Sequence, residues 1–126
     1  MKVLVVGGTG ALGGHCALYL ASKGHDVTIG GRNPANSATG MAKLPFLKGD
    51  YVAGDFTPER LKGFDWVVFA AGNDPRHVPQ GAEFEAFLIK ANHEAVPAFF
   101  AACRAAGLKR AVQLGSYYHQ AAPELL

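Results

Sequence analysis

Short apolar runs alternate along the chain with longer stretches bounded by glycine. Val3-Leu4-Val5-Val6 is a continuous, largely β-branched run, which predicts a strand covered on both faces. Residues 11–23 follow with apolar positions at Leu12, Cys16, Tyr19 and Leu20. Their spacing predicts a helix with that stripe facing inward, stopped by Gly24. Val27-Thr28-Ile29 predicts a second strand ending at Gly30-Gly31, and Asn33-Pro34 opens a turn or short irregular helix to about residue 43. Tyr51-Val52-Ala53 predicts a weak third strand. Thr57 then stands as the N-cap of a short helical turn, with Pro58 at its first position. Trp66-Val67-Val68-Phe69-Ala70 and Ala111-Val112-Gln113-Leu114 predict the fourth and fifth strands. Between them, over about 80–106, Phe84, Leu88, Ala91, Ala95, Phe99 and Ala102 share one helical face. Pro97 lacks an N–H and crowds the carbonyl of His93, so a kink or two abutting helices are expected before Gly107 closes the stretch.

Strands alternating with helices imply a parallel sheet with right-handed crossovers. The pattern predicts an α/β fold: a Rossmann-type doubly wound sheet, strand order 3-2-1-4-5, in three αβα layers and C-terminally truncated. It fills one domain, residues 1–126, with no linker. A hydrophobic fraction of 49% and a charged fraction of 17% exclude intrinsic disorder. The net charge is +2, and Lys109-Arg110 is the only adjacent basic pair. That distribution argues against a nucleic-acid footprint and a polybasic membrane patch. No apolar run approaches the roughly 18 residues of a membrane span. Cys16 and Cys103 fall inside helical patterns and read as small hydrophobes rather than a disulfide framework. The five histidines show no metal-ligand spacing, so no metal is expected. These features together predict a soluble protein in the reducing cytoplasm.

The chemistry concentrates in one motif. Gly8-Thr9-Gly10-Ala11-Leu12-Gly13 is a G-x-G-x-x-G between the first strand and the first helix; read from Gly7, the same stretch is G-x-x-G-x-x-G. One glycine turns the chain tightly, one lets backbone approach a pyrophosphate, and one lets helix pack on strand. The anion then meets free N–H groups at the positive end of the helix dipole. A glycine-rich turn without a ligand is the alternative, but the flanking strand, helix and second βα unit favour a dinucleotide site. Such folds carry an acid about 20 residues beyond the motif to bind the ribose 2′-OH. Eighteen residues after Gly13 stands Gly31, followed by Arg32. A guanidinium suits a 2′-phosphate where an acid would repel it. NADP(H) is therefore expected, with NAD(H) still open and a merely solvated Arg32 as the alternative.

These residues carry a wider resemblance. The chain resembles the N-terminal part of a short-chain dehydrogenase/reductase of the extended or atypical type, a group that includes NAD(P)-dependent epimerases, dehydratases and NmrA-like proteins. The matching pieces are the Val3 to Gly13 block, Gly54-Asp55-Phe56, Phe69-Ala70-Ala71-Gly72, Ala91-Asn92 and the run from Ala105 to Arg110. The resemblance implies that Asp55 and Phe56 meet the adenine ring, although Asp55 could instead cap the helix that follows. It implies that Ala70, Ala71 and Gly72 line the ribose side. Asn92 matches an asparagine that supports the helix beside the active site, or is a plain surface residue. Ser116 matches a serine that bonds a substrate oxygen, or is a turn serine.

In such relatives a Tyr-x-x-x-Lys motif follows, the lysine lowering the tyrosine's pKa for proton transfer. Here Ala121 and Ala122 stand four residues after Tyr117 and Tyr118, so the motif is absent from these residues. Two functions stay open: the cofactor domain of an oxidoreductase, epimerase or dehydratase acting on a small molecule, or an NmrA-like redox sensor that never catalyses. The fifth strand, lacking a further neighbour, is expected to offer an open edge through which copies could associate.

Overall fold

The computed structural model describes residues 1–35, 39–72 and 78–115. Five strands form one parallel sheet: β1 (Lys2–Val6), β2 (Asp26–Gly31), β3 (Phe46–Lys48), β4 (Trp66–Phe69) and β5 (Arg110–Gln113). Their order is β3-β2-β1-β4-β5, the Rossmann arrangement expected from the alternation. The most apolar run takes the centre, with Val3 paired to Val27 on one side and Trp66 on the other. Strand geometry sends successive side chains to opposite faces. Val3, Val5, Val27 and Ile29 therefore pack on one side with Ala17. Leu4, Val6, Val67 and Phe69 pack on the other.

Helix α1 (Ala11–Ser22) covers the first face. The expected stripe turns inward only in part: Leu20 packs against the core and Cys16 is half-buried, but Leu12 and Tyr19 are 67% and 62% exposed, and the fully buried residues are Gly13, Gly14 and Ala17. The helix lies too close to the sheet for large side chains. A Cβ on Gly13 would sit 2.2 Å from the Gly7 carbonyl oxygen.

The opposite face is covered by α2 (Pro58–Leu61) and α4 (Ala95–Ala106). Here rings fill the gap: Tyr51 meets Phe69 edge-on at 5.0 Å, and Phe99 lies 5.1 Å from Phe69 and 5.6 Å from Phe56. Cys103 packs among them, and burial pushes its thiol up to about 11, so it stays neutral and serves as a small apolar filler. Thr57 caps α2 as expected, its Oγ1 accepting from the Arg60 N–H at 3.4 Å.

Two boundaries depart from the sequence expectation. The third strand is Phe46–Lys48, not residues 51–53. Its ends are fixed by bonds from Ile29 N–H to the Pro45 carbonyl and from Gly49 N–H to the Gly31 carbonyl, both 2.8 Å. Tyr51 instead enters a turn closed by Gly54, because its ring is buried against Phe69. The long helical region begins at Phe84, where the Glu83 carboxylate accepts from the Glu85 and Ala86 N–H groups. It runs as α3 (Phe84–Leu88), a π-helical segment (Ile89–Glu94) and α4. Pro97 falls in the first turn of α4, where its missing N–H is tolerated, and the wider π turn before it joins α3 and α4, so the stretch is two helices that abut through that turn. Gly107 ends α4 with φ +89°. Among the described residues no helix is long and apolar enough to cross a membrane.

Candidate functional site

The carboxyl ends of β1, β2 and β4 converge on a cavity of about 390 Å³, the position where open α/β sheets bind ligands. The glycine turn forms one wall. Gly7 has φ +84°, and a Cβ there would lie 2.6 Å from the Ala71 nitrogen. Its N–H donates to the Gly30 carbonyl at 2.9 Å, and Gly10 N–H returns to the Gly7 carbonyl at 3.0 Å. The turn is thus pressed between the ends of β2 and β4. The tight turn falls at Gly7 and the close helix contact at Gly13, so the geometry follows the G-x-x-G-x-x-G frame.

Helix α1 begins beside this cavity. Its N-cap, Gly10, is extended and gives no side-chain cap, and the first turn holds no acid. The first N–H groups of a helix have no partner within it. An uncapped start therefore leaves a concentration of donors and the positive dipole end next to Thr9 and Gly10, which line the cavity.

Of the residues singled out from the sequence, Gly7, Thr9, Gly10, Arg32, Phe56, Ala70, Ala71 and Gly72 line the cavity. Gly8 and Gly13 are buried behind the turn, while the side chains of Ala11 and Leu12 are exposed. Asp55 is exposed and is not among the lining residues. Its Oδ2 accepts the Asp50 N–H at 2.8 Å, so it braces the loop. It does not cap α2, a task that Thr57 performs. Asp50 does line the cavity, and its Oδ1 accepts the Val52 N–H at 2.9 Å. Ser116 lies outside the described residues, as does His77; Asn92 lies exposed in the π-helical segment.

Sequence reasoning missed several lining residues: Gly49, Asp50, Tyr51 and Val52, and across the cavity Pro79 and Phe87. Gly49-Asp50 repeats the Gly54-Asp55 dipeptide five residues earlier, and a correctly placed third strand would have picked the first copy. Phe87 carried no signal, because it sits off the Phe84–Leu88–Ala91 face. Among the described residues no cluster of His, Cys, Asp or Glu could hold a metal.

The family model for the NAD dependent epimerase/dehydratase family matches residues 3–124. Among solved structures, MoeE5 in complex with UDP-glucuronic acid and NAD is similar with a TM-score of 0.72 and 27% identity, over 92% of this chain and 37% of that one. UDP-glucose-4-epimerase from Stenotrophomonas maltophila, with bound NAD and formylated UDP-arabinopyranose, has a TM-score of 0.75 and 23% identity, over 94% of this chain and 38% of that one. A short-chain dehydrogenase/reductase superfamily protein from Agrobacterium tumefaciens with bound NAD has a TM-score of 0.73 and 18% identity, over 93% and 33%. The last two show the fold. This chain spans well under half the length of these structures. No curated protein sequence matched it.

Proposed function

Because the chain belongs to the NAD dependent epimerase/dehydratase family, we propose that its cavity binds a nicotinamide dinucleotide, with NADP(H) preferred over NAD(H). The observation that carries this reading is the uncapped start of α1 at Gly10, without an acid in its first turn. Such a terminus supplies N–H donors and a positive dipole end to a pyrophosphate. The cavity, about 390 Å³, is within the range of small-molecule sites. The likeness to NAD-bound MoeE5 supports the cofactor class.

The residues divide the work as follows. Gly7, Gly8, Thr9, Gly10 and Gly13 shape the phosphate cradle. Ala11 and Leu12 contribute backbone N–H groups, which needs no inward side chain. Arg32 reaches the 2′-phosphate with paired charge-assisted bonds. Phe56, with Asp50, Tyr51 and Val52 in the role first expected of Asp55, walls the adenine. Ala70, Ala71 and Gly72 line the ribose and nicotinamide side. A bound nicotinamide would supply a hydride donor or acceptor. Within the whole protein we assign this domain to an oxidoreductase, epimerase or dehydratase acting on a small molecule, with Ser116 holding a substrate oxygen.

Fluorescence titration of wild type and Arg32→Ala with NADPH and NADH tests the reading. The substitution should weaken NADPH binding by about 1.5–3 kcal/mol, the weight of a charge-assisted hydrogen bond, and leave NADH nearly unchanged. Equal weakening of both cofactors would remove the claimed preference.

A further inference from the structure

We infer that Arg60 is a positioning residue for this site: its guanidinium, behind the cavity wall, ties together the two ends of the loop that forms the wall. The inference rests on the dinucleotide reading above. Arg60 lies on α2 and is not among the cavity-lining residues. One guanidinium nitrogen, Nη1, donates to the Asp55 carbonyl at 2.7 Å, and the other, Nη2, donates to the Lys48 carbonyl. Lys48 ends β3 and Asp55 ends the loop, so one planar fork closes the six residues 49–54 between them.

Inside that loop further bonds join its own residues. Asp55 N–H donates to the Asp50 carbonyl at 3.1 Å, alongside the Asp55 and Asp50 carboxylate bonds described above. The guanidinium also stands 5.8 Å from the Phe56 ring centroid. That ring in turn lies where a Cβ on Gly49 would come within 3.0 Å of it. Gly49, Asp50, Tyr51, Val52 and Phe56 all line the cavity; the tie brackets the first four, and Phe56 follows directly on its Asp55 end.

A loop held in its binding shape spares the ligand the ordering entropy of shaping it. A lysine ends in a compact ammonium on a flexible stem and lacks the planar, pre-organised fork that meets two carbonyls from separate nitrogens. Arg60 thus acts on affinity without touching the ligand.

Wild type, Arg60→Ala and Arg60→Lys are titrated with NADPH and with ADP, and amide exchange is followed along the chain. We expect Arg60→Ala to bind both nucleotides about tenfold more weakly, the weight of one charge-assisted hydrogen bond. Arg60→Lys should recover little of the loss. Millimolar guanidinium ion should restore part of the affinity of Arg60→Ala and leave wild type unchanged. The amides of Asp50, Val52 and Asp55 should exchange faster in Arg60→Ala, while those of Val3 and Val67 keep their protection. Unchanged affinity in Arg60→Ala overturns the inference. So does a loss accompanied by faster exchange throughout β1 and β4, which would mark general destabilisation. A wild-type protein that binds neither nucleotide overturns the dinucleotide reading, and this inference with it; wild-type binding that Arg60→Ala matches overturns this inference alone.

Discussion

The two faces of the sheet are covered by different means. On one, α1 approaches through Gly13, Gly14 and Ala17. On the other, Tyr51, Phe56, Phe69 and Phe99 fill a wider gap with edge-on and tilted rings. The difference follows from what each helix must do. The start of α1 must sit at the end of β1, so the helix is drawn in until only small residues fit. Helix α4 brings no terminus to the cavity, so its distance is set by whatever volume fills the layer. Close packing therefore takes two forms in one domain: backbone proximity where the start of α1 meets the cavity, and ring volume across the face that α4 covers, with Tyr51 and Phe56 at its cavity edge.

Three changes would break or sharpen this contrast. The largest effect is expected from Phe99→Ala, which empties the centre of the aromatic layer and should destabilise by about 3–5 kcal/mol in urea unfolding. The fraction that remains folded should still bind nucleotide within about tenfold of wild type, since Phe99 does not line the cavity and meets it through Phe56. Gly13→Ala should lower stability less, by about 1–3 kcal/mol, yet abolish nucleotide binding, because a Cβ cannot share the space of the Gly7 carbonyl. If Phe99→Ala damages binding as much as Gly13→Ala, the two faces are not separable in this way. The smallest effect belongs to the sheet's edge. All four residues of β5 are exposed, Val112 at 53%, and among the described residues β5 pairs with β4 alone. Such an edge invites strand-to-strand association. Light scattering should show apparent mass rising with concentration, and Val112→Lys should suppress the rise while changing stability by under about 0.5 kcal/mol. A monodisperse monomer at high concentration would count against the open edge as an association site.

Much of this was readable in the residues. Val3 to Val6, Val27 to Ile29 and Trp66 to Phe69 are apolar runs too short for helices, and they became the three central strands. Gly24 and Gly107 both adopt positive φ where helices were expected to stop. Thr57 and Pro58 marked the start of α2 within a residue. What was not readable depended on tertiary distance. Tyr51-Val52 has strand-forming residues, but the chance to bury Tyr51 against Phe69 outweighed edge pairing, and a three-residue strand with Lys48 at its end took that place. Leu12 and Tyr19 show helical spacing, yet nothing local says that the helix is too close to the sheet to admit them. The lining residues Asp50 and Phe87 were hidden for the same reason: one depends on where β3 ends, the other on how α3 is rotated.

That rotation has its own consequence. A π-helical turn holds one residue more than an α turn, so Ile89–Glu94 acts as a phase shifter between α3 and α4. Loss of a single residue there would bring the two helices into step and swing Phe87 by about 100° around the axis. Phe99 and Cys103 would keep their places in the core, anchored from the α4 side. Chain length at this point, rather than side-chain identity, decides whether an aromatic ring faces the cavity.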